Sequence, residues 1–328
     1  MRGTAVNRDL SNIVQEKGFC NMDHNYTILL VDDEPAIREM ISVFLSEEEQ
    51  YNVLTADCGQ AALEILAAQR VDLVLSDVNM PGMKGFELLK IVKEQYPHAK
   101  RLLITAYNVE DYIGLALSHD IGNIFVKSVP FNFSELSKLL RNLLEDNIFG
   151  VERFFSADAK IHRELIRKST GLDMEAKKIV SIVNDDARGK KLELVLFELL
   201  TNAIFYGARD ENPENKQHWN FDFELTEESA VELAVAVDSE KYAVSVKDRG
   251  GKLKKQDVLY WLHRQIAQND NGLPLGLFDT HGRGLFIARR YIDRLIVNID
   301  RGRQTEIVLI NYLNKTYTGS KPVYINEI

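Results

Sequence analysis

Three carboxylates, a hydroxyl and an amine each stand where an apolar run stops. Asp32 and Asp33 follow Ile28-Leu29-Leu30-Val31, Asp77 ends the run from Val71, Thr105 ends Leu102–Thr105, and Lys127 ends Ile124–Lys127. Short apolar runs of this kind read as buried parallel strands, and such sheets bind ligands beyond the carboxyl ends of their strands. In one sheet the five side chains would converge on one edge. Carboxylates that close raise one another's pKa unless a cation lies among them. A hard divalent cation with oxygen ligands, Mg2+ above all, resolves the conflict. It also bridges phosphoryl oxygens and neutralises charge that develops during transfer. Lys127 adds a fixed positive charge, and the Thr105 hydroxyl can hydrogen-bond a phosphoryl oxygen. The chemistry that fits is acceptance of a phosphoryl group by Asp77. Singly, an acid after a strand is a helix cap or turn residue. It is the five together that point to chemistry.

The elements that must carry these residues are legible around them. After each apolar run comes a stretch of helical periodicity: Ile37, Met40, Ile41, Phe44 and Leu45 behind Pro35, then 60–68, 113–117 and 136–144, with a strand at Tyr51–Thr55. Strict strand–helix alternation predicts a parallel sheet with helices on both faces. At 328 residues, 45% hydrophobic and 27% charged, the chain has material for about two globular domains. A net charge of −9 without a basic arm argues against nucleic acid. Cys20 and Cys58 lack metal-ligand neighbours, which fits a reducing cytoplasm. No apolar run approaches the roughly 18 residues that span a bilayer, and no signal-peptide core follows Met1. A soluble cytoplasmic protein is expected.

The residues Val31-Asp32-Asp33-Glu34, Asp77-x-x-Met80-Pro81-x-Met83-x-Gly85, Ile104-Thr105-Ala106 and Lys127 resemble the receiver domain of two-component response regulators. The resemblance implies a flavodoxin-like, doubly wound, five-stranded parallel sheet with Asp77 as phosphoacceptor. It further implies Mg2+ held by Asp33 and Asp77, with Asp32 assisting through water and Asn79 through its backbone carbonyl. Thr105 and Phe125 would form the conformational switch pair. The family has Pro directly after the lysine; here Ser128 and Val129 intervene before Pro130.

Beyond a lead at 1–25 and this domain at 26–146, a second domain is expected at 147–315 and a tail at 316–328. No Pro- or Ser-rich linker separates the two, which predicts close coupling. Val151–Ser156 reads as a strand, Met174–Val183 as a helix and Leu192–Tyr206 as another. On the latter Glu198 and Asn202 are four apart and share a face. Val231–Val237 and Tyr242–Lys247 form a hairpin ending in Asp248-Arg249-Gly250-Gly251. The turn His281-Gly282-Arg283-Gly284 opens a helix whose N–H groups can cradle phosphates, and Leu295–Ile299 with Thr305–Leu309 closes the domain as a hairpin.

Glu198-Leu-Leu-Thr-Asn202, Asp248-Arg-Gly-Gly and Gly282-Arg-Gly284-Leu-Phe-Ile resemble the N, G1 and G2 boxes of the GHKL-type ATPases shared by histidine kinases, gyrase and anti-sigma-factor serine kinases. The resemblance implies a C-terminal α/β sandwich binding Mg-ATP. Asn202 would bind Mg2+, Asp248 the adenine amino group, Gly250, Gly282 and Gly284 would approach the nucleotide with Thr305 near it, and Glu198 would be the general base. Phe286 stands where histidine kinases have a last glycine, and His162 lies in no acceptor helix pair, so the anti-sigma-factor serine kinases are the nearer branch. G1 boxes usually read D-x-G-x-G, whereas Gly250 and Gly251 are adjacent, and a long lid from Lys252 to Thr280 carries Val258–Leu262, expected as a packed helix. A non-catalytic, partner-sequestering module is the alternative to a kinase; a hybrid histidine kinase is disfavoured. Expected partners are an upstream histidine kinase and a downstream anti-anti-sigma-like protein or sigma factor, with a homodimer left open.

Overall fold

The alternation read from the first half folds as β1 (Tyr26–Val31), α1 (Pro35–Ser46), β2 (Tyr51–Ala56), α2 (Gly59–Ala68), β3 (Leu73–Asp77), α3 (Gly85–Gln95), β4 (Lys100–Thr105), α4 (Ile113–His119), β5 (Asn123–Val126) and α5 (Phe133–Leu144). The computed structural model describes residues 25–185, 188–210, 222–276, 283–314 and 320–328. Strands pair in parallel in the order β2-β1-β3-β4-β5. Their apolar runs are buried on both faces, as parallel strands require. Helix α1 starts on Pro35, whose missing N–H costs nothing in a first turn. Helix α4 ends on Asp120 in the left-handed region at φ 55°. The peptide bond between Val129 and Pro130 is cis.

The second half contains β6 (Lys160–Ile166), α6 (Leu172–Val183), α7 (Gly189–Asn202), β7 (Val231–Val237), β8 (Lys241–Asp248), α8 (Lys255–Ile266), α9 (Arg283–Tyr291), β9 (Arg294–Asp300), β10 (Gln304–Tyr312) and β11 (Val323–Glu327). Strands β9-β10-β8-β7-β6 pair antiparallel. Val151–Ser156, expected as a strand, is instead a 3₁₀ turn over Val151–Phe154. Its backbone bonds close locally, from Arg153 N to Gly150 O and from Phe155 N to Glu152 O, leaving no ladder to join. The edge strand is β6, which is polar and mostly exposed on both faces and so lacks the alternation of a half-buried strand. Within the lid stretch, Val258, Leu259 and Leu262 of α8 are buried, as a packed helix requires.

The two halves share one eleven-stranded sheet, in the order β2-β1-β3-β4-β5-β11-β9-β10-β8-β7-β6. The segment expected as a tail therefore supplies the joining strand. β11 pairs antiparallel with β5, Val323 opposite Ile124, and parallel with β9, Tyr324 opposite Ile296. Its alternating Val323, Ile325 and Tyr324 are buried on opposite faces, in the two apolar layers that run beneath both halves. On one face lie α1 and α5; on the other lie α2, α3, α4 and α6 to α9.

Polar groups lock the seam. Glu135 of α5 accepts from Arg294 of β9 at 2.6 Å and from the Tyr324 hydroxyl of β11 at 2.7 Å. Asn298 of β9 donates to Ile148 O at 2.7 Å and accepts from Asn326 of β11 at 2.8 Å. Asp120 receives Lys93, Lys255 of α8 and Gln256 of α8 at 2.7, 2.9 and 2.9 Å. Those cations hold its carboxyl below the usual range even though burial works to raise it. Close approach at Gly122 completes the seam. Its carbonyl accepts from Ile325 N at 2.9 Å, and a Cβ there would sit 2.1 Å from Ile325 O. Gly122→Ala should therefore destabilise the whole chain by about 1–3 kcal/mol. The check is chemical denaturation with hydrogen exchange, in which the amides of 323–327 lose protection first.

Candidate functional site

At the carboxyl edge of the parallel strands, Lys127 lies between two acids. Its Nζ is 2.8 Å from Asp32 Oδ2 and 2.6 Å from Asp77 Oδ1. Asp32 is fully buried and Asp77 nearly so, while Asp33 is half-exposed beside them. Burial pushes the Asp32 carboxyl upward, outweighing the pull of Lys127. Burial works to lower the Lys127 amine, yet its bonds to Asp32 and Asp77 raise it overall. The second Asp77 oxygen accepts the Asn79 N–H at 2.6 Å, and the Asn79 side chain donates to the Tyr112 hydroxyl at 2.6 Å. Thr105 is buried at the end of β4, its hydroxyl accepting the Tyr107 N–H at 3.0 Å. Phe125 is buried one strand over, against the Phe131 ring.

The edge is shaped by close packing. A Cβ on Gly85 would stand 2.0 Å from the Asp77 carbonyl oxygen, so only glycine lets α3 start this near the strand end. Asp32 Oδ2 is met, among the described residues, by the Lys127 ammonium. Among the described residues, no three metal-ligating side chains stand together, because Asp32 and Asp77 both close on Lys127. The donor set is nonetheless all oxygen, which suits a hard cation such as Mg2+.

A second cluster forms in the other half. Helix α7 carries Glu198 and Asn202 on one partly buried face, then widens into a π-helical turn over Ala203–Ala208. Such turns recur at functional sites. Helix α9 packs across that face: a Cβ on Gly284 would stand 3.4 Å from Glu198 Cβ and 3.8 Å from Asn202 Nδ2. Gly282 lies outside the described residues. Asp248 ends β8 and is 7% exposed. Its Oδ1 accepts from Gly250 N at 2.9 Å and Gly251 N at 3.3 Å. Burial pushes its carboxyl up to about 6, against the pull of those two amides. Thr305 is the register partner of Asp248 across β10 and β8, and its buried hydroxyl has no hydrogen-bond partner among the described residues. A carboxylate and an unpaired hydroxyl, both buried, thus stand side by side.

Three contacts escaped the sequence reading. Gly207 in the π turn touches Asp248: a Cβ there would fall 2.4 Å from Asp248 Cγ. Gly250 in turn backs onto the Gly207 carbonyl, where a Cβ would fall 1.8 Å away. The only signal was a glycine closing the apolar helix. Tyr112 reaches Asn79 from a segment with no motif. His162, weighed as a phosphoacceptor and set aside, is exposed on β6, 3.8 Å from Glu164.

The response regulator receiver domain family model matches residues 28–161, and that of the histidine kinase-like ATPase domain matches residues 160–311. The response regulator protein FleR of Pseudomonas aeruginosa is 39% identical over 115 residues, covering 34% of this chain and 23% of FleR. Sporulation initiation phosphotransferase F of Bacillus subtilis is 33% identical over 120 residues, covering 37% of this chain and 94% of the phosphotransferase. Histidine kinase P4 of Formosa agariphila is 29% identical over 173 residues, covering 52% of this chain and 12% of the kinase. The chain spans about a quarter to a half of the length of the first curated relatives it matches.

The raised Asp248 carboxyl makes stability depend on pH. Its folded pKa of about 6 lies above the unfolded 3.8, so its contribution is full below 3.8 and is lost as pH rises through about 6. Two units at 1.36 kcal/mol each amount to about 3 kcal/mol. Asp248→Asn, which keeps an acceptor for Gly250 N–H, should gain stability over the parent by about that amount between pH 4 and pH 7. Urea denaturation of both proteins across that range measures it.

Proposed function

The chain belongs to the response regulators, with a histidine kinase-like ATPase domain following its receiver domain, and we propose that phosphorylation of Asp77 controls ATP-dependent action of the second domain on a protein partner. The observation that carries this reading is the sharing of one sheet by two sites of complementary chemistry. On the receiver side, an Asp77 oxygen forms a bond to phosphorus as the donor's bond to phosphorus breaks, the donor being an upstream histidine kinase. Lys127 holds the Asp77 carboxylate in place, and the Asn79 N–H fixes its second oxygen. Asp33, Asp77 and the Asn79 carbonyl, with Asp32 through water, would hold Mg2+, which supplies neutralisation of charge on the phosphoryl oxygens. Thr105 turns its hydroxyl from Tyr107 N–H towards the new group.

In the second domain, Asp248 and Thr305 support recognition of an adenine edge. A buried carboxylate accepts from the amino group, and the unpaired hydroxyl supplies a second polar contact. Gly250 and Gly207 keep the backbone close to Asp248, while Gly284 lies in the first turn of α9, which would face the phosphates; Gly282, expected beside it, is outside the described residues. Asn202 would hold the Mg2+ of Mg-ATP, and Glu198 would take the proton from a serine hydroxyl as that oxygen attacks the γ-phosphorus and ADP departs. The partner is then an anti-anti-sigma-like protein or a sigma factor, as for the anti-sigma-factor serine kinases that the motifs resemble. A second reading, nucleotide-gated sequestration without transfer, is favoured by Gly251. Its backbone, at φ 57°, is committed to packing against the turn at Asp300, where a Cβ would fall 2.4 Å from the Asp300 carbonyl oxygen.

Labelling separates these statements. Asp77→Asn should abolish incorporation of phosphoryl groups from acetyl phosphate, and persistent labelling would move the acceptor elsewhere. With labelled ATP and candidate partners, Glu198→Ala should lose transfer by about 100-fold or more while still binding ATP. Retained transfer would remove Glu198 as the base, and absence of ATP binding in the parent chain would sink the reading of the second domain.

A further inference from the structure

The two sites lie at opposite edges of the shared sheet. β11 runs antiparallel to β5 and parallel to β9, so β5 and β9 oppose each other. The start of β11 therefore points to the edge where Asp77 and Lys127 lie. Thr305 pairs with Ile299 near the far end of β9, so the Asp248–Thr305 pair sits at the other edge. Helix α9 crosses between them. Its nine residues, Arg283–Tyr291, span about 13 Å at 1.5 Å each, with Gly284 beside Glu198 near one end and Tyr291 at the receiver edge.

The residues leading into β11 grip the receiver loop on one side and the last turn of α9 on the other. The Ser320 hydroxyl accepts the Val109 N–H at 2.9 Å and donates to Asn108 Oδ1 at 3.0 Å. Asn108 caps the 3₁₀ turn whose last residue, Tyr112, holds Asn79, and Asn79 N–H binds Asp77. The same loop begins at Tyr107, which donates to Thr105. One residue on, Lys321 Nζ donates to the Arg289 and Arg290 carbonyls at 3.0 and 2.7 Å, meeting the last turn of α9 with a cation. Arg289 returns the contact, its guanidinium donating to Pro322 O at 2.8 Å and Lys321 O at 2.9 Å. Arg289 is 3% exposed, so these carbonyls replace water around its buried charge.

We propose that Ser320–Glu327 is the strap through which the state of Asp77 is transmitted to α9 and so to the nucleotide site, Ser320 reading the loop after β4 and Lys321 holding the end of the helix. The proposal rests on the ATP-binding reading of the second domain. A new phosphoryl group on Asp77 adds charge of about −1.5 to −2 beside Thr105 and Asn79. Both contact the loop that Ser320 holds. A shift of that loop moves the strap, and the strap has α9 at its other end. Coupling of this kind is reciprocal: ATP must strengthen phosphoryl-group binding at Asp77 by the factor that the phosphoryl group strengthens ATP binding, or weaken it likewise.

The experiment uses the full chain with beryllofluoride and Mg2+ as the phosphoryl mimic. Calorimetry gives the Kd for ATP with and without the mimic, and hydrogen exchange follows amides 284–291. The parent chain should change its Kd about fivefold or more, with altered exchange in α9, and Asp77→Asn should show neither. Ser320→Ala and Lys321→Met should each bring the ratio below about twofold, with exchange in β11 unchanged, showing the strand still paired. ATP binding with an undiminished ratio in both variants overturns the strap while the ATP reading stands. A lost ratio in Lys255→Ala alone assigns the coupling to α8 and Asp120, and overturns it equally. If the parent binds no ATP but α9 exchange responds to the mimic in the parent and not in Ser320→Ala, the ATP reading falls and the strap remains. No response of α9 or of ATP affinity in the parent overturns the strap.

Discussion

A strand at the edge of a sheet leaves a row of N–H and C=O groups that must find partners or water. The parallel sheet of the receiver half ends at β5, and the antiparallel sheet of the other half ends at β9. β11 is five residues long and satisfies both edges at once, antiparallel on one side and parallel on the other. Its position decides much else. Helices on one face form a continuous apolar layer only because the strands beneath them are continuous. The contacts of α4 with α8, Gly114 against the His263 ring, follow from the same alignment. A flexible tether would have left the halves free to turn; a shared ladder does not.

Within that frame, burial raises a carboxyl at both sites, Asp32 in spite of a lysine and Asp248 in spite of two amides. Asp32 and Asp77 share a nearly buried lysine, which compensates two carboxylates at once. Removing the partner of a buried charge is costly, so Lys127 is a structural counter-ion as well as a candidate for contact with a phosphoryl group. Among the described residues no cation pairs with Asp248; the Gly250 and Gly251 amides donate to it, and burial prevails. A buried carboxylate left under-compensated gains from any group that brings hydrogen-bond donors. The seam between the halves takes a third course, pairing Glu135 with both Arg294 and Tyr324, so its polar groups satisfy one another.

The receiver edge was legible because its signal is local. An apolar run that stops at an acid or a lysine says both that a strand is buried and where it ends, and Asp32, Asp77, Thr105 and Lys127 stand where that logic puts them. Glu198 and Asn202 share a face for an equally local reason, their spacing of four on a helix. What was not legible depended on partners far along the chain. Val323-Tyr324-Ile325 is too short to declare itself a strand without the two edges it fills. β6 exposes polar residues on both faces and so lacks alternation, whereas Val151–Phe154 has apolar residues enough to imitate a strand. Gly207 matters through a π turn that places it on Asp248, a contact set by the meeting of two elements and by no motif.

The opposition of β5 and β9 has a further consequence for communication. Two sites on one edge of a sheet can influence each other through neighbouring loops, but sites on opposite edges need an element that crosses. The strands themselves cross, yet each is held in register by hydrogen bonds on both sides and can shift only with its neighbours. Helices lie outside the ladder and slide more easily over a packed apolar layer. Of those covering this face, α9 has its start against Glu198 and its end against Lys321, and its last carbonyls are held by a side chain, with no ladder. The rigid seam and the movable helix are therefore complementary. The sheet fixes where the receiver edge stands relative to the Asp248–Thr305 pair, and against that fixed distance a displacement at one end of α9 would reach the other.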